Sequence, residues 1–197
     1  LMATKLFSIL TYVGISGEWK NEIRCICELL GDGYGTGEAI RDLEMLEEAG
    51  LARRVGSFAE ITISLLGNYL AKQALLGNRD QMFALYDRLT DSGRERFITR
   101  LSGVEGDEVN AFWDEFFSEK GPMGTFDGAL KRAGLLRILA GAVPGRILQL
   151  FESGLLSASR EERISIAGDE RREVMFALEQ LLFRTATSRR ALNLLWL

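Results

Sequence analysis

Between residues 51 and 63 the apolar side chains stop recurring at a helical period and begin to alternate. Ala59, Ile61 and Ile63 take turns with Glu60 and Thr62, and Leu51-Ala52-Arg53-Arg54-Val55 ahead of them is a second β-prone run. Gly56-Ser57 separates the two runs, and such a pair suits a two-residue hairpin turn. The flanking sequence is helical in pattern. Residues 5–13 read as a helix broken by Gly14-Ile15-Ser16-Gly17. Trp19, Ile23, Ile26 and Leu30 recur at i, i+4, i+7 and i+11, one face of a second helix. After the turn-rich run Gly31-Asp32-Gly33-Tyr34-Gly35-Thr36-Gly37, a third helix carries Ile40, Leu43 and Leu46 inward and stops at Gly50. Three helices followed by a hairpin is the order of a winged-helix domain, expected over residues 1–78. Ser64 is placed to cap a closing helix that runs to Gly77.

Beyond Asn78 only the helical period remains. Asp80 can cap a helix bearing Met82, Leu85 and Leu89, and Ser92-Gly93-Arg94-Glu95 has the form of a capping box ahead of Phe97 and Leu101. Asp107 opens a helix with Val109, Phe112, Trp113, Phe116 and Phe117, ended by Gly121-Pro122. Residues 126–140 and 145–155 pair around Pro144. Ser159-Arg160-Glu161-Glu162 is a second capping box, and residues 169–183 and 188–197 form another pair. Arg146-Ile147-Leu148-Gln149-Leu150 aligns with Arg190-Ala191-Leu192-Asn193-Leu194 at an offset of 44 residues, as do Ile138 with Leu182 and Leu139 with Phe183. A period of about 40–47 residues with two helices per unit belongs to helical solenoids. The fold class is therefore mainly α: a winged-helix domain, then an α-helical array of HEAT- or TPR-like helix pairs over residues 79–197. The last helix has no closing glycine or polar tail, so the array is expected to continue beyond this segment.

Catalytic machinery is expected to be absent, and the chain is not read as an enzyme. It has no histidine, which removes the commonest general base and the commonest metal ligand. The carboxylate pairs Glu47-Glu48, Asp114-Glu115, Glu161-Glu162 and Asp169-Glu170 are adjacent on helices and so diverge by about 100°. Cys25 and Cys27 on one helix would point about 200° apart and cannot chelate one ion. The glycines of the 31–37 loop lead to Glu38, not to the Lys-Ser/Thr of a phosphate loop, and an acid there repels phosphate. No catalytic, cofactor-binding or metal-binding residue is assigned, and no cofactor is expected.

Charge then separates the classes of partner. The net charge is −4, and residues 1–78 carry seven Lys/Arg against ten Asp/Glu. A helix that enters a DNA groove needs donors for phosphates and base edges. The third helix offers Glu38, Asp42, Glu44, Glu47 and Glu48 against Arg41 alone, which argues against nucleic acid. Arg53 and Arg54 are the one basic pair nearby and are candidate partner contacts. In the aromatic run Phe112-Trp113, Phe116-Phe117, the residues Trp113 and Phe117 are the candidate anchors for a protein partner, although most such aromatics fill cores. No apolar run reaches the roughly 18–20 residues that span a bilayer, so no membrane partner is expected. Two isolated cysteines suit a reducing compartment, and a cytoplasmic protein is expected.

Several strings carry a family resemblance. Val13-Gly14-Ile15-Ser16-Gly17-Glu18, then Leu43-Glu44-Met45-Leu46-Glu47-Glu48-Ala49-Gly50-Leu51-Ala52-Arg53-Arg54, then Ile61-Thr62-Ile63-Ser64-Leu65-Leu66-Gly67-Asn68-Tyr69-Leu70 resemble the winged-helix region of bacterial STAND-class (NACHT/NB-ARC-like) signalling ATPases. Phe116-Phe117-Ser118-Glu119-Lys120-Gly121-Pro122, Leu135-Leu136-Arg137-Ile138-Leu139 and Arg171-Arg172-Glu173-Val174-Met175-Phe176-Ala177-Leu178-Glu179 are similar to the helical region that follows it. The resemblance implies a P-loop ATPase upstream, against which the winged helix packs in a resting state. It implies a helical array that senses a ligand or partner, self-oligomerisation on nucleotide exchange, and a place in signalling such as antiviral defence. Many members carry a histidine in the winged helix that touches nucleotide, and this chain departs from them in having none. The alternative is a winged-helix transcriptional regulator with a helical dimerisation or effector domain.

Overall fold

The computed structural model describes residues 2–166 and 171–196. The Asp169-Glu170 pair, the start of the helix expected from 169, and the terminal Leu1 and Leu197 lie outside the described residues. The fold is mainly α with one small three-stranded antiparallel sheet. It divides into two compact units, Leu1–Val109 and Asn110–Leu197.

The first unit opens with α1 (Met2–Ser8), β1 (Val13–Gly14), a short 3-10 turn at Gly17–Trp19, α2 (Lys20–Leu30) and α3 (Thr36–Glu48). The hairpin β2 (Ala52–Val55) and β3 (Phe58–Ile61) turns at Gly56-Ser57 as the sequence indicates, with Gly56 at φ +60. At the end of α3, Leu51 N–H bonds Leu46 O at 2.9 Å and Gly50 N–H bonds Glu47 O at 2.9 Å, with Gly50 at φ +69. This double bond pattern is a Schellman stop, which only a residue tolerating positive φ closes without strain.

β1 corrects the sequence reading. Residues 5–13 are not one helix: α1 ends at Ser8, and Val13–Gly14 pairs with Ala59 and Phe58 as a third strand, in the order β1-β3-β2. Two residues cannot announce a strand by periodicity. Their partner across the sheet lies in β3, about 45 residues away, and decides the matter.

α4 (Ser64–Leu75), α5 (Arg79–Arg88) and α6 (Asp91–Ser102) complete the unit. α1 packs on α4 and β3, α2 on α5, and α4 on α6, around Leu6, Phe7, Leu10, Ile23, Ile26 and Leu43, all at or near zero exposure. α5 docks on α2 and α6 on α4, so the first compact unit includes both helices. Caps also move. Ser64 is already helical and Ile63 holds the cap position without a side-chain bond, and Asn78 caps α5 likewise without one. The cap of α6 is Thr90, whose hydroxyl accepts from Gly93 N–H at 3.2 Å, not Ser92.

α7 (Asp107–Phe116) carries the division between the units. The second unit then holds α8 (Phe126–Leu130), α9 (Ala133–Ala142), α10 (Pro144–Ser157), α11 (Arg160–Ser165), α12 (Arg171–Leu182) and α13 (Ser188–Leu195). The single helix expected over 126–140 is two, interrupted at Lys131 and Arg132, with Thr125 capping the first. The capping box at Ser159 is formed in both directions, Ser159 N–H to Glu162 and Glu162 N–H to the Ser159 hydroxyl, at 2.7 and 3.2 Å. α9 packs on α10 and α12, and α13 packs on α10 and α12. The two arginines that align at the 44-residue offset repeat one contact: Arg146 is paired with Asp114 of α7, and Arg190 with Glu152 of α10, by Nε at 2.8 Å and by Nη2. Their neighbours diverge. Leu139 and Leu148 are fully buried, whereas their counterparts Phe183 and Leu192 are exposed.

Candidate functional site

The hairpin concentrates most of what the sequence singled out, and its cations do not stand free. Residues opposed in register share a face of the sheet, so Arg53 with Glu60 and Val55 with Phe58 lie together on the side away from buried Ala52, Ala59 and Ile61. Arg53 Nε bonds Glu60 Oε1 at 2.5 Å. Arg54 turns to α3, with its Nε 3.1 Å from Glu47 and its Nη2 3.7 Å from Glu44. The acid-rich helix thus neutralises one of the two basic residues expected to face a partner, and the neighbouring strand engages the other.

Both edges of the sheet are closed by a carboxylate. Glu47 also accepts the backbone N–H of Arg54 at 2.9 Å, and Glu22 accepts that of Gly14 at 2.7 Å. An edge strand whose outward N–H is already bonded is a poor template for a further strand.

Beneath the hairpin face lies a buried ion pair. Arg96 of α6 meets Glu22 of α2 through two bonds, Nη1 to Oε2 at 2.8 Å and Nη2 to Oε1 at 2.5 Å. It also donates to Tyr12 O at 2.9 Å and Ser92 O at 3.1 Å, so each of the three guanidinium nitrogens is engaged. Its carbon sits 4.8 Å from the Tyr12 ring, 5.1 Å from Phe58 and 5.8 Å from Trp19, within cation–π range of all three. One helical turn on, Arg100 reaches Asn68 and the carbonyls of Leu10 and Thr11. Burial pulls its guanidinium below the ordinary value, partly offset by the Glu60 charge. Gly67 makes room for it, since a Cβ there would stand 2.7 Å from Arg100 Nη1.

The rings Tyr12 and Phe58 meet edge to face at 5.2 Å and wall a cleft of about 250 Å3 with Val55, Ala59, Arg53 and Glu60. Sequence reasoning missed this cleft and the pair below it. The spacing of Arg96 and Arg100, i and i+4 beside Phe97 and Leu101, was the one available signal.

Elsewhere the structure places the singled-out residues plainly. Trp113 is 4% exposed and meets Phe112 and Phe116 edge to face, so its indole lies in the core. Phe117, half-buried at the end of the same cluster, keeps some surface. Cys25 and Cys27 are both free and buried, and burial pushes the Cys27 thiol up. The glycine loop is closed by Glu38, which accepts the N–H of Gly35 at 2.8 Å. Among the described residues no group of three or more Cys, Asp and Glu could hold a metal ion, and no helix is long and apolar enough to cross a membrane. No family model, curated protein or solved structure matches the chain.

Proposed function

We propose that this chain is the regulatory, protein-facing segment of a larger STAND-like P-loop ATPase of bacterial signalling or defence. Its first unit would be a winged helix and its second a pair of HEAT- or TPR-like repeats. The observation that carries the reading is the charge balance of the hairpin: Arg54 is paired with Glu47 and Glu44, and Arg53, through its Nε, with Glu60. A hairpin that reads DNA needs those cations for phosphates. Here three carboxylates outnumber the two cations, so the hairpin offers a duplex no net positive charge, and the face it presents is aromatic and aliphatic, a composition suited to a protein contact. The repeated reach of Arg146 and Arg190 to the preceding helices supports the helix-pair reading of the second unit. The second unit would then be the sensor and the first the coupling element to an adjacent ATPase domain, with chemistry supplied upstream.

The test is the native gene product. An antibody raised against residues 1–197 should detect, in the source cells, a polypeptide far longer than 197 residues whose upstream peptides include a phosphate-binding loop. A native product of about this length would end the reading.

A further inference from the structure

We infer that the cleft on the hairpin face is a docking site for an acidic protein segment that presents one large apolar side chain. The inference rests on the protein-facing reading of the hairpin and gives its partner a chemistry.

Size sets the first limit. About 250 Å3 lies below the range of cofactor and drug-sized pockets, roughly 300–1,000 Å3, and suits a single aromatic or long aliphatic side chain. The walls match such an occupant. Val55 is 56% exposed on a sheet face where polar residues are the rule, and Tyr12, just ahead of β1, is 41% exposed. The aromatic wall is pre-organised, because Tyr12 and Phe58 are held against each other and both against the Arg96 guanidinium, itself fixed by Glu22. A rigid pocket loses little freedom on binding, which favours an anchor residue there.

The rim sets the sign of the partner. Glu60 is engaged with Arg53, and its side chain is only 25% exposed. Arg53 is 67% exposed, and among the described residues only its Nε is engaged. The donors left over at the rim are therefore those of a guanidinium, and they call for a carboxylate beside the apolar anchor. Strand addition is closed off at both edges by Glu22 and Glu47, so the partner must enter by its side chain.

The test is a methyl and amide NMR titration of the 197-residue chain with two probes, N-acetyl-L-tryptophan and its uncharged amide. Saturable shifts are expected at the Val55 methyl groups and at the backbone amides of Phe58 and Ala59 at millimolar probe. The acid should bind roughly two- to fivefold more tightly than the amide, the range an exposed ion pair supplies. Arg53→Gln should erase that difference and leave amide binding in place. Val55→Glu, at an exposed position, should remove binding of both with the thermal transition intact. Shifts that do not saturate, shifts centred elsewhere, or equal affinity for acid and amide would overturn the assignment. The length of the native product decides the underlying reading separately, so the two can fail independently.

Discussion

Glu22 and Arg96, seventy-four positions apart, form a two-bond ion pair with both side chains about 5% exposed. Each partner does more than neutralise the other. Glu22 closes the β1 edge at Gly14, and Arg96 holds the Tyr12 carbonyl and lies against three rings. One contact thus ties α2, α6 and the sheet together within the first unit.

Removing one member of such a pair leaves the other charged and buried without compensation. Glu22→Gln is expected to destabilise the first unit by about 3–5 kcal/mol. The double variant Glu22→Gln, Arg96→Met should lose less than the sum of the single changes, because no orphaned charge remains. Urea midpoints at constant m-value check both statements. Additive losses would show that the pair does not couple the elements.

Trp113→Ala tests the aromatic cluster. At 4% exposure, with ring centroids 5.3 Å from Phe112 and 5.8 Å from Phe116, the indole is core. The truncation should cost about 3–5 kcal/mol and lower the thermal transition of the second unit. An unchanged transition would return Trp113 to the surface role that its sequence position first suggested.

Two helical glycines should respond with opposite sign. A Cβ at Gly154 would lie 2.1 Å from the Phe126 ring, whose own centroid is 6.1 Å from Phe151. Gly154→Ala must push that ring aside and should destabilise by about 1–3 kcal/mol, helix propensity notwithstanding. Gly141 meets nothing within 4 Å, so Gly141→Ala should stabilise by up to about 1 kcal/mol. Differential scanning calorimetry of the two variants reads the contrast directly.

What the sequence disclosed and what it hid divide by distance along the chain. The hairpin was legible because Gly56-Ser57 and the alternation of Ala59 and Ile61 are local signals. So were the Gly50 stop and the Ser159 box, each closed within six residues. The β1 strand, the Arg96–Glu22 pair and the cleft were not, because each is made by residues from separate elements whose register no local pattern encodes. The break at Lys131 and Arg132 carries no glycine or proline to mark it. The acids of α3 were visible as a reason against nucleic acid. That Glu44 and Glu47 also take up Arg54 required the fold.

Fluorescence anisotropy of a labelled random-sequence duplex, titrated with the 197-residue chain at low salt, tests most directly whether the hairpin faces protein or nucleic acid. With Arg53 and Arg54 held by Glu60, Glu47 and Glu44, no submicromolar binding is expected, and little change on Arg53→Gln. Submicromolar binding that weakens steeply with salt and is lost in Arg53→Gln would contradict it and place the hairpin on DNA.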